Sequence, residues 1–419
     1  MFTPMATTAP GPTDNPLTGQ LKPFESSPLH YLTAVHAEYG DVVRLRLWPH
    51  LVHLVCHPDD IRQVLVTQGE HYHELSALGL RGVAPKHLQG QSIGAMVDEM
   101  VAAASAMLDH WAERSAPDTP TDLAREMRRL TLDVLGRTVL GADIAPDLGA
   151  LEPALAIASR FTAPHRSLSI VQRLERSRDG AGADVEGAVA TLQAFVREMI
   201  DRRRHSDAAP DLASDLLDSG DDDYALVSLL ALLVAGHEST ASALTWTLLL
   251  LADHPQARGV VERELETELH GRPPQLDDLP RLRRTRMALQ EAMRLFPPVW
   301  LLAPRVAQQD DVVGGYSIPK GSIVIVSPYI THRDAERWPQ PHVFDPDRFS
   351  DAAPTGYLPF GAGPWGCIGT QFGMTEARIV LAMILQRFEC ERVSMAPLEA
   401  DPRSALWPTD AEVVLRSRR

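Results

Sequence analysis

The apolar and polar positions along the chain change period several times, and each change marks an element. Asp41 to Leu47 alternates apolar with charged residues, the period of a half-exposed strand. Leu51 to Val55 reads as its hairpin partner, with Pro49-His50 in the turn. From His87 to about Arg204 the period is helical, interrupted by Gly, Pro and Asp clusters near 116–120, 141–146 and 178–184. Residues 206–223 are acidic and breaker-rich, which predicts a loop or a short helix within one. Tyr224 to His254 is one long apolar helix stopped by Pro255. Amphipathic helices are predicted over Gln256–His270 and Thr285–Phe296, the second stopped by Pro297-Pro298. Short strands follow, with Ile323 to Val326 the core of one. A Pro- and Asp-rich meander runs from Trp338 to Pro354, and a Gly-rich loop leads into a last helix over Ile368–Phe388. There is no repeating strand–helix–strand pattern. The fold class is therefore mainly α with small β-sheets, not a doubly wound nucleotide-binding fold.

Composition adds little beyond exclusions. Hydrophobic residues make up 44 % and charged residues 23 %, as in ordinary globular enzymes. The net charge of −15 leaves no surplus of Lys and Arg for nucleic acid or an anionic membrane. Residues 1–23 are expected to form a flexible leader without a targeting signal, and 24–419 a single domain in the cytoplasm. The longest apolar run, Ala225 to Ala252, is interrupted by Gly236, His237, Glu238, Ser239 and Thr240. It reads as a buried helix and not as a transmembrane anchor. Cys56, Cys367 and Cys390 lie far apart, which fits neither a disulfide framework nor a zinc cage. His71 and His73 alternate as on a strand with no carboxylate–histidine helix beside them, so a zinc or di-metal hydrolase has little support.

The sharpest local signal is Pro359-Phe360-Gly361-Ala362-Gly363-Pro364-Trp365-Gly366-Cys367-Ile368-Gly369. Its glycines let the backbone bend tightly and approach a bulky partner. Cys367 is placed where the last helix begins, and helix N–H groups and dipole are expected to lower its thiol pKa. A lone cysteine in such a turn is commonly a core residue. With its full context it has the properties of a thiolate ligand to haem iron. In the long apolar helix, Leu232, Ala235, Gly236, Ser239 and Ala243 share one small-residue face. Such a face packs against backbone or makes room for something flat. Glu238-Ser239-Thr240 puts a carboxylate and two hydroxyls mid-helix, costly there unless paired or wet. The plainer reading is a core helix with a back-bonded serine.

On these residues the chain resembles the cytochrome P450 haem-thiolate monooxygenases. Phe360, Gly363, Cys367 and Gly369 fill the family's F-x-x-G-x-[R/H]-x-C-x-G loop, and 235–240 resembles its [A/G]-G-x-[D/E]-T-[T/S] segment. Glu291-x-x-Arg294 and Pro346-Asp347-Arg348-Phe349 match its E-x-x-R and P-[E/D]-R-F elements. The resemblance implies the P450 fold and haem b with Cys367 as axial ligand to iron. It implies cofactor contacts from Phe360, Gly361, Trp365, Gly369, Ala235, Gly236, Arg305 and His332. Glu238, Ser239 and Thr240 would serve catalysis, Glu238 and Ser239 by passing protons during dioxygen activation. A network of Glu291, Arg294 and Arg348 would be structural.

Three departures matter. Trp365 stands where the family has a basic residue that meets a haem propionate, and an indole N–H donates one hydrogen bond without charge. Ser239 replaces threonine, keeping the hydroxyl on a looser rotamer. The family's W/H-x-x-x-R helix, which crosses the haem, is shortened or missing, by about 20 residues from pattern spacing. Arg81, Lys86 and His87 are the nearest cations.

The activity implied is oxidation of a long apolar substrate, with electrons from a separate ferredoxin- or flavodoxin-type donor. Leu233 to Trp246, Pro297 to Leu302 and Val326 to Thr331 are similar to a soluble bacterial member of the family that hydroxylates the β-carotene ring. A carotenoid is therefore expected first and a fatty acid second, with Leu232, Trp300 and Leu301 lining the pocket. A degenerate haem-binding relative without turnover is the alternative class.

Overall fold

The computed structural model describes residues 7–13, 19–75, 88, 91–114, 119–163, 165, 168, 181–205, 212–218 and 220–418. The central element is the helix Asp222–Asp253, capped by Asp221, whose carboxylate accepts the Tyr224 N–H at 3.0 Å. This helix is apolar almost all round, so it can only lie inside the fold. It is long and apolar enough to cross a membrane, yet most of it is buried within the chain. The helices Leu123–Leu135, Arg283–Leu295 and Thr370–Arg387 pack against it, and one large apolar cluster joins all four. The helix ends at His254, and Pro255 opens the next helix because its fixed φ and missing N–H suit a first turn.

The β structure is set to one side. Strands β1 (Val42–Leu47), β2 (His50–Val55) and β3 (Tyr72–Glu74) belong to a five-stranded sheet. Strand β4 (Pro120–Asp122) belongs elsewhere, while β5 (Arg305–Ala307) returns to that sheet. The pair β6 (Asp311–Val313) and β7 (Tyr316–Ile318) stands alone, and β8 (Ile323–Ile325) completes the sheet in the order β1-β2-β8-β5-β3. Near the C-terminal end, β9 (Phe388–Arg392) and β12 (Glu412–Ser417) pair with β4's sheet, and β10 (Ala400–Pro402) with β11 (Leu406–Pro408) forms a hairpin. The predicted strand pair is present as β1 and β2, antiparallel with Val42 opposite Val55.

The expected loose leader is corrected in its described parts. The Arg44 N–H donates to the Pro10 carbonyl at 2.7 Å and Ser317 N–H to Thr7 at 2.9 Å, which ties the segment to β1 and β7. Gly11 passes so close to the Arg44 carbonyl that a Cβ would lie 1.9 Å from its oxygen. Ala9, Gln20 and Leu21 are buried, and a helix begins at Leu21. The segment supplies backbone partners that the edge of β1 otherwise lacks. The segment read as a shortened haem-crossing helix, with Arg81, Lys86 and His87, lies outside the described residues.

Candidate functional site

The cysteine loop owes its shape to two left-handed glycines, Gly361 (φ 68°) and Gly363 (φ 70°). At Gly363 a Cβ would stand 1.9 Å from the Leu65 carbonyl oxygen, so only glycine fits there. The loop closes on itself where Cys367 N–H donates to the Phe360 carbonyl at 2.8 Å. The helix begins at Thr370 with Gly369 as its cap, so Cys367 precedes the helix and does not open it. Phe360 and Trp365 are half-buried.

Among the three cysteines only Cys367 is exposed. Cys390 is buried in β9 opposite Leu415, and burial pushes its thiol up to about 12. Cys56 is buried in the β-side core, its pKa also raised by burial. The Cys367 thiol was expected to be depressed. In the chain alone, desolvation raises it, opposed by the Gly369 N–H and the Thr370 hydroxyl. The Thr370 hydroxyl donates its hydrogen bond to the Cys367 carbonyl at 2.9 Å, and a coordinated metal deprotonates a thiol outright.

The central helix opens at one place. Ala235, Gly236, Glu238 and Ser239 are partly exposed, while 231–234 and 240–251 are buried. Glu238 Oε2 accepts the Ser404 hydroxyl at 2.6 Å, and Ser239 Oγ donates back to the Ala235 carbonyl at 3.3 Å. Thr240 does not join them. It is buried, with its hydroxyl oxygen 3.4 Å from where a Gly373 Cβ would lie, because a residue one step along a helix turns to another neighbour. Gly236 has a packing role as well, since a Cβ there would meet Leu135 at 3.2 Å. His237 faces away, its Nδ1–H donating to the Leu233 carbonyl at 2.7 Å; burial lowers its pKa.

Arg305 is buried on β5 directly opposite Glu74 on β3. Its Nη1 donates to Glu74 Oε2 at 2.6 Å and to the Ala303 carbonyl at 3.0 Å, and its guanidinium stands 5.6 Å from the Trp365 ring centroid. Its Nε is buried with no hydrogen-bond partner. His73 meets the same indole edge-on at 6.4 Å.

His332 is placed differently from the cofactor contact expected of it. Its ring is fully buried between Trp338 and Tyr357, and Nε2 accepts the Leu358 N–H at 2.9 Å. Burial, with Arg333 and Arg294 nearby, lowers its pKa to about 3, so it is a neutral core acceptor that fixes the start of the cysteine loop. The Glu291 carboxylate takes two hydrogen bonds from Arg294, at 2.7 and 2.8 Å, and one from Arg348 Nε at 3.3 Å. Arg294 also donates to the carbonyls of His332, Pro341 and Val343, which ties the meander to this helix.

The expected pocket residues are not brought together. Leu232 belongs to the helical core, and Trp300 and Leu301 to the β-side core, all three buried. The Trp300 indole donates to the Arg403 carbonyl at 3.3 Å, so it anchors the β10–β11 turn. Leu302, not singled out by the sequence, approaches the cysteine loop, 3.9 Å from where a Gly361 Cβ would be. Glu74 and Ser404 were also missed, because neither lies in a patterned stretch. One cluster of metal-ligand type, His36, Asp41 and Asp334, holds Arg337 between its two carboxylates and reads as an ion-pair network.

An exposed thiol, a half-open helix face of small residues and a buried guanidinium with an unused donor fit a flat anionic macrocycle carrying a metal. The cytochrome P450 family pattern matches residues 9–78 and 80–415. Cyclooctatin synthase of Streptomyces melanosporofaciens is 33 % identical, covering 96 % of this chain and 93 % of its own. Pentalenene oxygenase of Streptomyces avermitilis is 29 % identical, covering 97 % and 95 %. Cyclooctat-9-en-7-ol 5-monooxygenase of Streptomyces melanosporofaciens is 31 % identical, covering 92 % and 90 %. With residues 9–78 and 80–415 so matched, the chain belongs to the cytochrome P450 family of haem-thiolate monooxygenases.

Proposed function

We propose that this enzyme hydroxylates a terpenoid, with Cys367 as the axial ligand of its haem. The observation that carries the ligand assignment is the exposed Cys367 at the end of a glycine loop, against two buried cysteines. Haem bound there supplies dioxygen activation, which thiolate donation to the iron promotes. The chain's own residues hold and orient. Gly361 and Gly363 shape the loop, the Gly369 N–H favours the thiolate, and the Thr370 hydroxyl donates to the Cys367 carbonyl at 2.9 Å. The Arg305 guanidinium and the Trp365 indole would hold the haem propionates. Glu238 and Ser239 hold and pass protons at the opening of the central helix. Electrons come from a separate ferredoxin- or flavodoxin-type protein, and the reaction takes place in the cytoplasm.

The substrate class rests on the relatives, two named for cyclooctatin compounds and one for pentalenene. They favour a cyclised terpenoid over the β-carotene ring or a fatty acid. Titration of the purified haem protein with a cyclic terpene hydrocarbon, β-carotene and laurate tests the order. A Soret shift with the terpene at the lowest concentration is expected. A shift with laurate alone overturns the assignment. Trp365 in place of the usual cation favours a second reading, a haem-binding relative without turnover. Product formation with a surrogate reductase decides between the two.

A further inference from the structure

The β10–β11 hairpin is fastened to the central helix where β11 leaves the turn, and touches it once more within the turn. At the first residue of β11, the Leu406 carbonyl accepts both the Ser242 hydroxyl and the Trp246 indole N–H, each at 2.7 Å. The Leu406 N–H donates to the Pro298 carbonyl at 2.9 Å, and the Trp300 indole holds the Arg403 carbonyl. These bonds fix where the turn lies. At the turn, Ser404 Oγ donates to Glu238 Oε2 at 2.6 Å, the distance of a charge-assisted bond. Ser404 is itself half-exposed, and its neighbour Arg403 is exposed and paired with Asp401.

We propose that Ser404 is the outer station of the proton path, positioning the Glu238 carboxylate and passing it protons from solvent. The proposal rests on the reading of Glu238 as the proton-delivering acid. In each transfer the Ser404 hydroxyl gives its proton to Glu238 Oε2 and its oxygen takes one from solvent water on the outer side, so Ser404 ends unchanged. Among the described residues, His237 interacts electrostatically with Glu238 beside it and with Arg128 on the helix Leu123–Leu135, and Arg403 next to Ser404 is paired with Asp401 on the hairpin. None of them is hydrogen-bonded to the Glu238 carboxylate, whereas Ser404 is.

The test compares Ser404→Ala, Ser404→Thr, Glu238→Gln and Ser242→Ala in the haem-loaded enzyme with a surrogate electron donor. The first readout is not turnover. In protein labelled with 13C-glutamate, the Glu238 carboxyl signal, assigned by its loss in Glu238→Gln, is recorded by NMR. Loss of the hydroxyl donor is expected to move that signal in Ser404→Ala and to leave it near wild type in Ser404→Thr. The second readout is the rate and its solvent isotope effect. Ser404→Ala is expected to lower kcat about tenfold with a larger isotope effect and little change in KM, as for loss of one proton-transfer group. Ser242→Ala removes one of the two donors to the Leu406 carbonyl while the Trp246 indole still holds it, and is expected to change KM without changing the isotope effect. If Ser404→Ala leaves both the carboxyl signal and the isotope effect at wild-type values while Glu238→Gln alters the isotope effect, Ser404 has no such role. If Ser242→Ala reproduces the isotope effect of Ser404→Ala, the bond is structural and the proposal fails. If Glu238→Gln leaves turnover intact, the reading of Glu238 fails first and the proposal with it.

Discussion

Arg305 and Glu74 are cross-strand partners on β5 and β3, their side chains joined at 2.6 Å, and the arginine is capped by Trp365 at 5.6 Å. The charge that a propionate needs is already shared with a carboxylate, and the family's second cation is here an indole. Glu74→Gln keeps a hydrogen-bond acceptor and removes the competing charge. The haem-free protein is expected to lose about 1 kcal/mol of stability, as for one weakened hydrogen bond to a charged group. The loaded protein is expected to release haem more slowly to an acceptor globin, and Arg305→Leu to release it faster than wild type. Faster loss from Glu74→Gln would contradict the competition.

The cysteine assignment is tested by two alanines. Cys367→Ala is expected to abolish the far-red-shifted Soret band of the reduced, carbon-monoxide-bound protein. Cys390→Ala is expected to keep that band and to cost roughly 1 kcal/mol of stability through a small core void. A band that follows Cys390 and not Cys367 would reverse the assignment.

Gly363→Ala places a methyl 1.9 Å from the Leu65 carbonyl oxygen on a left-handed residue. The φ alone costs about 1–2 kcal/mol, and the backbone clash adds to it. Poor haem incorporation with near-native helix content by circular dichroism is expected. Gly40→Ala, also at positive φ (88°) but with open space around it, is expected to lose stability through its backbone conformation alone and to keep haem incorporation.

Buried neutral histidines set an acid limit. His332 has its pKa lowered to about 3 and His53 to about 4, both chiefly by burial, against 6.5 in the unfolded chain. Their folded pKa values are depressed, so the unfolded state binds the extra protons as pH falls. Stability is full above pH 6.5 and drains as pH falls towards 3–4, by at most about 1.4 kcal/mol per pH unit for each group. Denaturant midpoints measured between pH 7 and 4 should fall accordingly. His53→Gln should flatten part of that slope, and an unchanged slope would show that His53 stays protonated in the fold.

The Glu291–Arg294 pair has no exposed surface, and Arg294 supplies the carbonyls of His332, Pro341 and Val343 as well. Arg294→Leu strands a buried carboxylate and three acceptors, and is expected to cost about 3–5 kcal/mol. Insoluble or haem-free protein is the expected outcome. A soluble variant with a wild-type melting temperature would remove the network's structural role.

The sequence by itself determined the elements and the chemistry-bearing motifs. An apolar run without a polar face had to become the central buried helix, and strict alternation had to become β1. The spacing of Gly361, Gly363 and Cys367 already described a bent loop presenting one sulfur. Tertiary structure alone decided which side chains meet. Arg305 finds Glu74 across 231 residues and Ser404 finds Glu238 across 166, and no local period encodes either pairing. Thr240 left its motif neighbours, His332 became a core acceptor, and Trp300 anchored a turn in place of lining a pocket. Helical and strand periods fix which residues share a face. What that face meets depends on packing between distant elements, where burial and hydrogen-bond satisfaction are settled jointly.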